Sequence, residues 1–143
     1  MQDQDYKTKF SYLSQPMPTK TSGKLKALIV DDESDICYLL SSILRERNVL
    51  ASFAGSLHEV DRILEQGKAP PIIFLDNHLP DGMGLNYVSK IKKNHPMSKI
   101  VMMTAHDNIS DRENALIEGV DFFIGKPFSR ESVYKALDIL TGQ

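Results

Sequence analysis

Short, continuous apolar runs recur along the chain from residue 25 onward. Four of them cover residues 28–30, 72–75, 100–103 and 122–124. A run without alternating polar positions is typical of a strand that is buried on both faces, as the strands of a parallel sheet are. A weaker apolar stretch at residues 49–54 predicts one more strand, which lies second along the chain.

The segments between these runs have the spacing of helices that bury one face. The first is the clearest, because its apolar residues follow the i, i+3, i+4, i+7, i+8 rule from Ile36 to Leu44. Shorter patterns of the same kind predict four further helices, over residues 57–64, 85–91, 109–116 and 133–140. Glycine and proline residues separate the units, as expected at turns.

Five strands that alternate with five helices predict an α/β fold, a doubly wound five-stranded parallel sheet with helices on both faces. The flavodoxin-like strand order 2-1-3-4-5 is the natural choice for five short units. Residues 25–143 form this domain. Residues 1–24 show no hydrophobic period and predict a flexible N-terminal arm. The alternative is an arm that docks on the domain surface through the aromatic and leucine side chains of residues 6–13.

Composition and charge narrow the classes of function. The formal net charge is −2, so no whole-molecule field draws the chain to nucleic acid. The one cysteine, Cys37, excludes an intramolecular disulfide and a cysteine-based metal site, and an unpaired thiol suits a reducing compartment. No apolar run approaches the roughly 18 residues that cross a bilayer, and no apolar stretch of a secretory signal is visible. We therefore expect a soluble, cytoplasmic protein that binds neither nucleic acid nor membrane.

Polar side chains follow four of the predicted strands at the point where each strand ends. They are Asp31 and Asp32 after the first strand, Asp76 at the end of the third, Thr104 at the end of the fourth and Lys126 after the fifth. In an open parallel sheet, ligands bind outside the carboxyl ends of the strands, near the point where the strand order reverses. We therefore expect three carboxylates, a hydroxyl and an ammonium group in one cleft.

Three carboxylates in one cleft repel one another strongly. At separations of about 4–5 Å and an effective dielectric constant near 20, each pair repels by roughly 3–4 kcal/mol. Such a cluster takes up protons or binds a hard cation, and Mg²⁺ fits best because it prefers a few carboxylates together with waters. Lys126 can contact both Asp76 and a phosphate, and Thr104 can donate a hydrogen bond to a phosphoryl oxygen. These groups match phosphoryl transfer to a carboxylate, in which the aspartate attacks in line.

Four sequence segments carry these side chains. They read LIVDDE at residues 28–33, FLDNHLPDG at 74–82, MTA at 103–105 and GKPF at 125–128. Each lies at the end of a predicted strand, and together they resemble the receiver domain of two-component response regulators, of the chemotaxis-regulator type. The resemblance covers residues 25–141 and implies a magnesium-dependent switch that works through an aspartyl phosphate.

The resemblance implies a role for each residue of the cleft. Asp76 is the phosphoacceptor, and its phosphoryl group comes from a sensor histidine kinase or a phosphotransfer protein. Mg²⁺ is held by Asp32, Asp76 and the backbone carbonyl of His78, while Asp31 helps directly or through water. The chain is then no enzyme for other substrates, because it catalyses only its own phosphorylation and dephosphorylation.

The resemblance also implies how the signal leaves the site. Thr104 follows the phosphoryl group, the rotamer of Phe123 reports the active state, and Lys126 and Pro127 are joined by a cis peptide bond. The output is a change in contacts with a downstream protein, and a phosphorylation-dependent dimer is one form that it can take. The plainer alternative for Phe123 is a core aromatic without a switching role.

Three residues differ from the usual pattern of the family. Met83 stands where an Asp or Ser often precedes the third helix, so we expect the cap of that helix to come from Asp81 or from the backbone. His78 and His106 border the route by which water reaches the phosphorus. Each can orient that water, obstruct it or have no kinetic role.

Other interpretations of the acidic residues also have to be weighed. An aspartate-nucleophile phosphatase of the haloacid-dehalogenase kind has a second aspartate two residues after the first, where this chain has Glu33. That enzyme stays as the alternative function. A flavin-binding module is excluded, because the acidic residues after the first strand would repel the flavin phosphate. Asp31 and Asp32 as a simple N-cap would leave Asp76 unexplained.

Whether the chain is a stand-alone receiver or part of a longer regulator is left open.

Overall fold

The part of the chain that the computed structural model describes covers residues 24–105 and 109–142. The arm predicted over residues 1–24 lies outside it except for Lys24, and so does His106. Both expectations therefore stay predictions. Within the described ranges, no helix is long and apolar enough to cross a membrane.

All five strands predicted from the apolar runs are present and form one parallel sheet. Their bounds are β1 (Leu25–Val30), β2 (Val49–Ala54), β3 (Ile72–Asp76), β6 (Lys99–Thr104) and β7 (Phe122–Gly125). The sheet order is β2-β1-β3-β6-β7, which confirms the predicted order 2-1-3-4-5. Two further strands, β4 (His78–Leu79) and β5 (Gly82–Met83), form a short antiparallel hairpin. Strands of two residues are too short to show a hydrophobic period, so the sequence did not predict them.

The described residues contain five helices, four of them between strands and the fifth after β7. They are α1 (Ser34–Glu46), α2 (Leu57–Glu65), α3 (Leu85–Asn94), α4 (Ile109–Glu118) and α5 (Arg130–Thr141). Helices α1 and α5 cover one face of the sheet, and α2, α3 and α4 cover the other. The predicted doubly wound α/β fold is therefore confirmed.

Alternate residues of the central strands enter hydrophobic cores on opposite faces of the sheet. In β3, Ile72 and Phe74 pack with α1 and α5, whereas Ile73 and Leu75 pack with α2, α3 and α4. These four side chains are at most 2% exposed. Burying a large apolar side chain is worth roughly 1.5–3 kcal/mol. Burial on both faces explains why the strand runs are apolar without alternation.

The register of the sheet aligns the carboxyl ends of four strands. Val30 at the end of β1 pairs with Leu75 in β3, and Thr104 at the end of β6 pairs with Gly125 at the end of β7. Asp76 pairs with Met103, one residue before the end of β6. The residues that end these strands therefore lie along one edge of the sheet.

A glycine is required where the β4–β5 hairpin leads into α3. A Cβ atom on Gly84 would lie 2.4 Å from the backbone oxygen of Asp76 and 2.9 Å from Cγ of Leu75. Both distances are far shorter than van der Waals contact. The first neighbour is backbone and the second belongs to the core, so neither can move away easily. The loop after Asp76 therefore closes at a point where no side chain fits.

Gly84→Ala should destabilise the domain by about 1–3 kcal/mol, the usual cost of overpacking a closed site. Gly67→Ala is the matched control, because a Cβ atom on Gly67 would have no neighbour within 4 Å. Urea unfolding followed by circular dichroism measures both variants. Equal unfolding midpoints for the two variants would contradict the close approach at Gly84.

Candidate functional site

The acidic residues predicted for the cleft lie together at the carboxyl edge of the sheet. Asp31 follows β1 and Asp76 ends β3, and these residues are buried, with 2% and 5% of their surface exposed. Asp32 is exposed to solvent. One carboxylate oxygen from each of the three lies within 4.8 Å of the other two. The structure thus brings the three carboxylates into one cluster.

Lys126 places its ammonium group among these carboxylates. Its Nζ atom is 2.7 Å from Oδ2 of Asp31 and 3.3 Å from Oδ1 of Asp76. The Lys126 N–H donates to the carbonyl of Thr104 at 2.7 Å, which fixes the backbone beside the end of β6. The Lys126–Pro127 peptide bond is cis. The lysine is therefore set against the two buried acids.

The charges in the cleft are only partly compensated. Burial raises the pKa of Asp76, the charge of Asp31 raises it further, and Lys126 offsets part of the effect. Burial also disfavours the charged form of Lys126, but contacts with Asp31 and Asp76 outweigh burial and raise the pKa of this ammonium group. Lys126 is therefore positively charged at neutral pH, and carboxylate oxygens of Asp31, Asp76 and Glu33 lie within 3.8 Å of its Nζ atom.

Asp31 is held from several sides. One of its carboxylate oxygens accepts the backbone N–H of Glu33 at 2.9 Å, and the other accepts the Lys126 ammonium group. The Asp31 backbone carbonyl accepts the thiol of Cys37 at 3.4 Å. Burial, followed by the charge of Asp31, raises the pKa of that thiol to about 12. Cys37 therefore stays protonated and packs as a small core residue.

Asn77 organises the loop that follows β3. Its backbone N–H donates to the carbonyl of Met103 at 3.0 Å, and its own carbonyl accepts the N–H of Gly84 at 2.9 Å. Its side-chain oxygen accepts the N–H of Leu85, the first residue of α3, at 2.9 Å. The prediction that Asp81 caps α3 is therefore wrong, while the N-cap residue itself, Gly84, contributes no side-chain hydrogen bond. Asn77 lies eight residues before Leu85, beyond the reach of local capping patterns.

Asp81, at the tip of the hairpin, caps α2 instead. Its two carboxylate oxygens accept the N–H groups of Leu57 and His58, each at 2.9 Å. These hydrogen bonds lower the pKa of the Asp81 carboxyl group. Asp81 and Leu57 are 24 residues apart, so no local sequence pattern indicates this contact.

His78 stands in the hairpin directly beside the phosphoacceptor candidate. Its backbone N–H donates to the carboxylate of Asp76, which tends to lower the pKa of that group. Its side chain is exposed. The kinetic roles considered for the His78 and His106 side chains stay predictions.

A cavity of about 130 Å³ lies next to Thr104. Thr104 is buried at the end of β6, and Phe123 in β7 is partly buried and lines the same cavity. The guanidinium carbon of Arg112 lies 5.1 Å from the centre of the Phe123 ring. Thr104 and Phe123, the two predicted switch residues, therefore line the same cavity.

The donor set of the cleft fits a hard divalent cation. Three carboxylates converge, one of them is exposed, and the buried Asp76 carries a raised pKa that a cation would offset. Mg²⁺ prefers carboxylate oxygens and keeps several of its waters. Asp31, Asp32 and Asp76 are the groups that could hold it, and the backbone carbonyl of His78 stays a predicted ligand.

Comparisons with known proteins match this chain to one family of domains. The family model of the response regulator receiver domain matches residues 27–138. The response regulator protein PilR of Pseudomonas aeruginosa is 35% identical over 119 residues, which are 80% of this chain and 26% of PilR. The nitrogen assimilation regulatory protein NtrX of Azorhizobium caulinodans is 36% identical over 110 residues, which are 73% of this chain and 23% of NtrX. The chain therefore spans about a quarter of the length of these two relatives.

A solved structure gives the same result. The beryllofluoride-activated NtrC4 receiver domain dimer matches with a TM-score of 0.75 and 33% sequence identity, covering 80% of this chain and 94% of that chain. None of these matches supports the haloacid-dehalogenase alternative. Because the family model covers most of the chain and the sheet order is that of the family, the chain belongs to the response regulator receiver domain family.

Proposed function

We propose that this receiver domain accepts a phosphoryl group on Asp76 from a sensor histidine kinase or a phosphotransfer protein, in a reaction that requires Mg²⁺. The observation that supports this most directly is the position of Asp76. It ends the central strand β3, 3.3 Å from the ammonium group of Lys126 and within 4.8 Å of two further carboxylates. In this arrangement Asp76 can act as the nucleophile, Lys126 can stabilise negative charge, and the other two carboxylates can hold a cation.

Asp76 is better suited to be the nucleophile than Asp31. The side chain of Asp31 has no exposed surface, whereas 7% of the Asp76 side chain is exposed to the solvent from which a phosphodonor would arrive. The raised pKa of Asp76 means that its carboxylate is more basic than an ordinary one. Greater basicity favours attack on phosphorus once the proton has left.

Lys126 and Thr104 would act on the oxygens of the transferred group. The ammonium group of Lys126 stays charged and lies beside Asp76, so it can contact a phosphoryl oxygen as the bond to Asp76 forms. The hydroxyl of Thr104 is buried at the neighbouring strand end, where it can donate a hydrogen bond to another of these oxygens.

The metal would be held by Asp31, Asp32, Asp76 and the backbone carbonyl of His78. When bound, Mg²⁺ supplies positive charge that offsets the negative charge of the phosphoryl group and of the three carboxylates. Asp32, the exposed member of the cluster, faces the side from which a hydrated cation and the phosphodonor would arrive.

The output would be a change of protein contacts, without catalysis on any other substrate. Movement of Thr104 towards a phosphoryl oxygen would alter the cavity that Phe123 lines, and so change the surface formed by α4, β7 and α5. The activated NtrC4 receiver domain is a dimer, so a phosphorylation-dependent dimer is one proposed output, beside a downstream protein target. The kinase partner and the reduced Cys37 favour the cytoplasm, and neither nucleic acid nor membrane is a proposed partner of this chain.

Incubation with Mg²⁺ and a small acyl phosphate should add one phosphoryl group to the protein, a gain of about 80 Da in intact-mass spectrometry. Asp76→Asn should abolish the gain because it removes the nucleophile. Glu65→Gln, an exposed carboxylate at the end of α2, is the control and should be modified normally. Stoichiometric modification of Asp76→Asn would rule out the proposed acceptor.

Without metal, Asp76→Asn and Lys126→Gln should change the melting temperature at pH 7 in opposite directions. Asp76→Asn removes a buried charge whose pKa is raised, and leaves the Lys126–Asp31 pair intact. Lys126→Gln leaves two buried carboxylates without their counter-charge, which costs about 3–5 kcal/mol. Each 1 kcal/mol corresponds to roughly 4 °C for a domain of this size. Thermal unfolding in a chelator measures both effects.

The pH dependence of this comparison follows from the raised pKa of Asp76. Its folded-state pKa lies above its unfolded value, so the penalty of its charge appears as the pH rises through that window. Below about pH 3, under the unfolded-state pKa of roughly 3.9, the residue is protonated in both states, and the advantage of Asp76→Asn over the parent protein should disappear. Destabilisation of both variants at pH 7 would contradict the proposed charge balance.

Addition of beryllium fluoride and Mg²⁺ should shift the backbone amide resonances of α4, β7 and the loop that contains Lys126. Two conformations must already coexist, and the phosphoryl mimic biases one of them. In Thr104→Val, which keeps the shape of Thr104 but lacks its hydroxyl, the shifts should stay near Asp76. Shifts confined to the Asp76 loop in the parent protein would count against the switch.

A further inference from the structure

The tip of the β4–β5 hairpin is bound to a helix other than the one that it leads into. Asp81 lies at this tip, and each of its carboxylate oxygens accepts one N–H group from the first turn of α2, those of Leu57 and His58. Two hydrogen bonds to one carboxylate fix the position of Asp81 on α2 better than a single hydrogen bond, because they restrain rotation of the carboxylate as well as its distance.

The hairpin is also fitted to α2 by packing. A Cβ atom on Gly82 would lie 3.1 Å from Cδ1 of Leu57, and the φ angle of Gly82 is +150°, where side chains are rarely tolerated. Leu79, on the other strand of the hairpin, packs against the same hydrophobic core that contains Leu57. The Asp81 bonds therefore close a contact between the hairpin and the start of α2.

The contribution of Asp81 differs from that of an ordinary cap. The first turn of a helix has N–H groups without partners inside the helix, and Ser56, the N-cap residue of α2, satisfies one of them by accepting the N–H of Glu59 at 3.1 Å. Asp81 satisfies two others from outside the helix. Both residues therefore stabilise α2, but the bonds of Ser56 stay within the helix, whereas those of Asp81 reach across to the hairpin.

His78 lies between two fixed points of this hairpin. Asn77 fixes its base through Met103 and Leu85, and Asp81 fixes its tip. His78 stands one residue after Asn77, pairs with Met83 in the hairpin, and donates its backbone N–H to Asp76. The path of the backbone at His78 therefore depends on both attachments.

We propose that Asp81 is a positioning residue for the metal site, because its carboxylate holds the hairpin on α2 and so fixes the backbone carbonyl of His78 in place for Mg²⁺. This inference rests on the proposed function, which gives that carbonyl to the metal. Asp81 touches neither metal nor phosphoryl group in this scheme. The lowered pKa of Asp81 agrees with a carboxylate that is ionised, and so accepts both hydrogen bonds, throughout the neutral range.

The test compares two variants that each remove a cap from α2. Asp81→Ala removes the attachment of the hairpin, whereas Ser56→Ala removes a bond inside the helix, so both weaken α2 and only the first releases the hairpin. Mg²⁺ titration by calorimetry should show affinity about 10-fold or more weaker for Asp81→Ala, the usual effect of losing support around a metal site. Ser56→Ala should stay within about two-fold of the parent protein. Asp81→Asn, which keeps one acceptor oxygen, should fall between them.

A second readout needs no metal. Hydrogen–deuterium exchange of metal-free protein, followed in peptides that cover residues 77–84, should be faster in Asp81→Ala and unchanged in Ser56→Ala. The inference would be overturned if the two variants changed Mg²⁺ affinity and exchange equally, or if Asp81→Ala changed neither. The proposed function would still stand in that case, provided that the parent protein binds Mg²⁺ and is phosphorylated on Asp76. A parent protein that neither bound Mg²⁺ nor became phosphorylated would overturn the proposed function, and this inference with it.

Discussion

The crowding of negative charge at the carboxyl edge of the sheet is the constraint on which the rest of the structure depends. Asp31 and Asp76 are buried within hydrogen-bonding reach of one ammonium group, and Asp32 stands beside them. Isolated buried charges are strongly disfavoured, so the chain has to bring Lys126 from the far end of the sheet to meet them. The fold therefore holds an excess of negative charge at this edge, which a bound cation can offset.

Much of the fold could be predicted from the sequence because burial on both faces of a strand leaves a direct record in residue type. Runs such as residues 72–75 contain no polar position and predicted strands buried on both faces, which is how the structure has them. The β4–β5 hairpin left no such record, because strands of two residues cannot show a period. Its shape is set by Gly82, whose φ angle of +150° side chains rarely tolerate, and by Gly84, where neighbouring atoms leave no room for a side chain.

The candidate site likewise contains some residues that the sequence predicted and others that it did not. The chemical groups Asp31, Asp32, Asp76, Thr104 and Lys126 were predicted because parallel strands end at a common edge, which turns positions in the sequence into proximity in space. The groups that hold the loop in place were not, because Asn77 and Asp81 accept N–H groups from helices eight and 24 residues away. Contacts of this range follow from the assembled tertiary structure, and no local pattern of residue types encodes them.

The burial of Cys37 beneath the acidic cleft has a practical consequence. The chain contains this one cysteine, its thiol is hydrogen-bonded to the carbonyl of Asp31, and its pKa is raised to about 12. Alkylating reagents react with the thiolate form of cysteine, so a buried and protonated thiol is almost inert towards them. Covalent labelling must then wait until α1 separates from the sheet. The labelling rate of Cys37 therefore measures how often α1 separates from the sheet, without an added dye or an engineered probe.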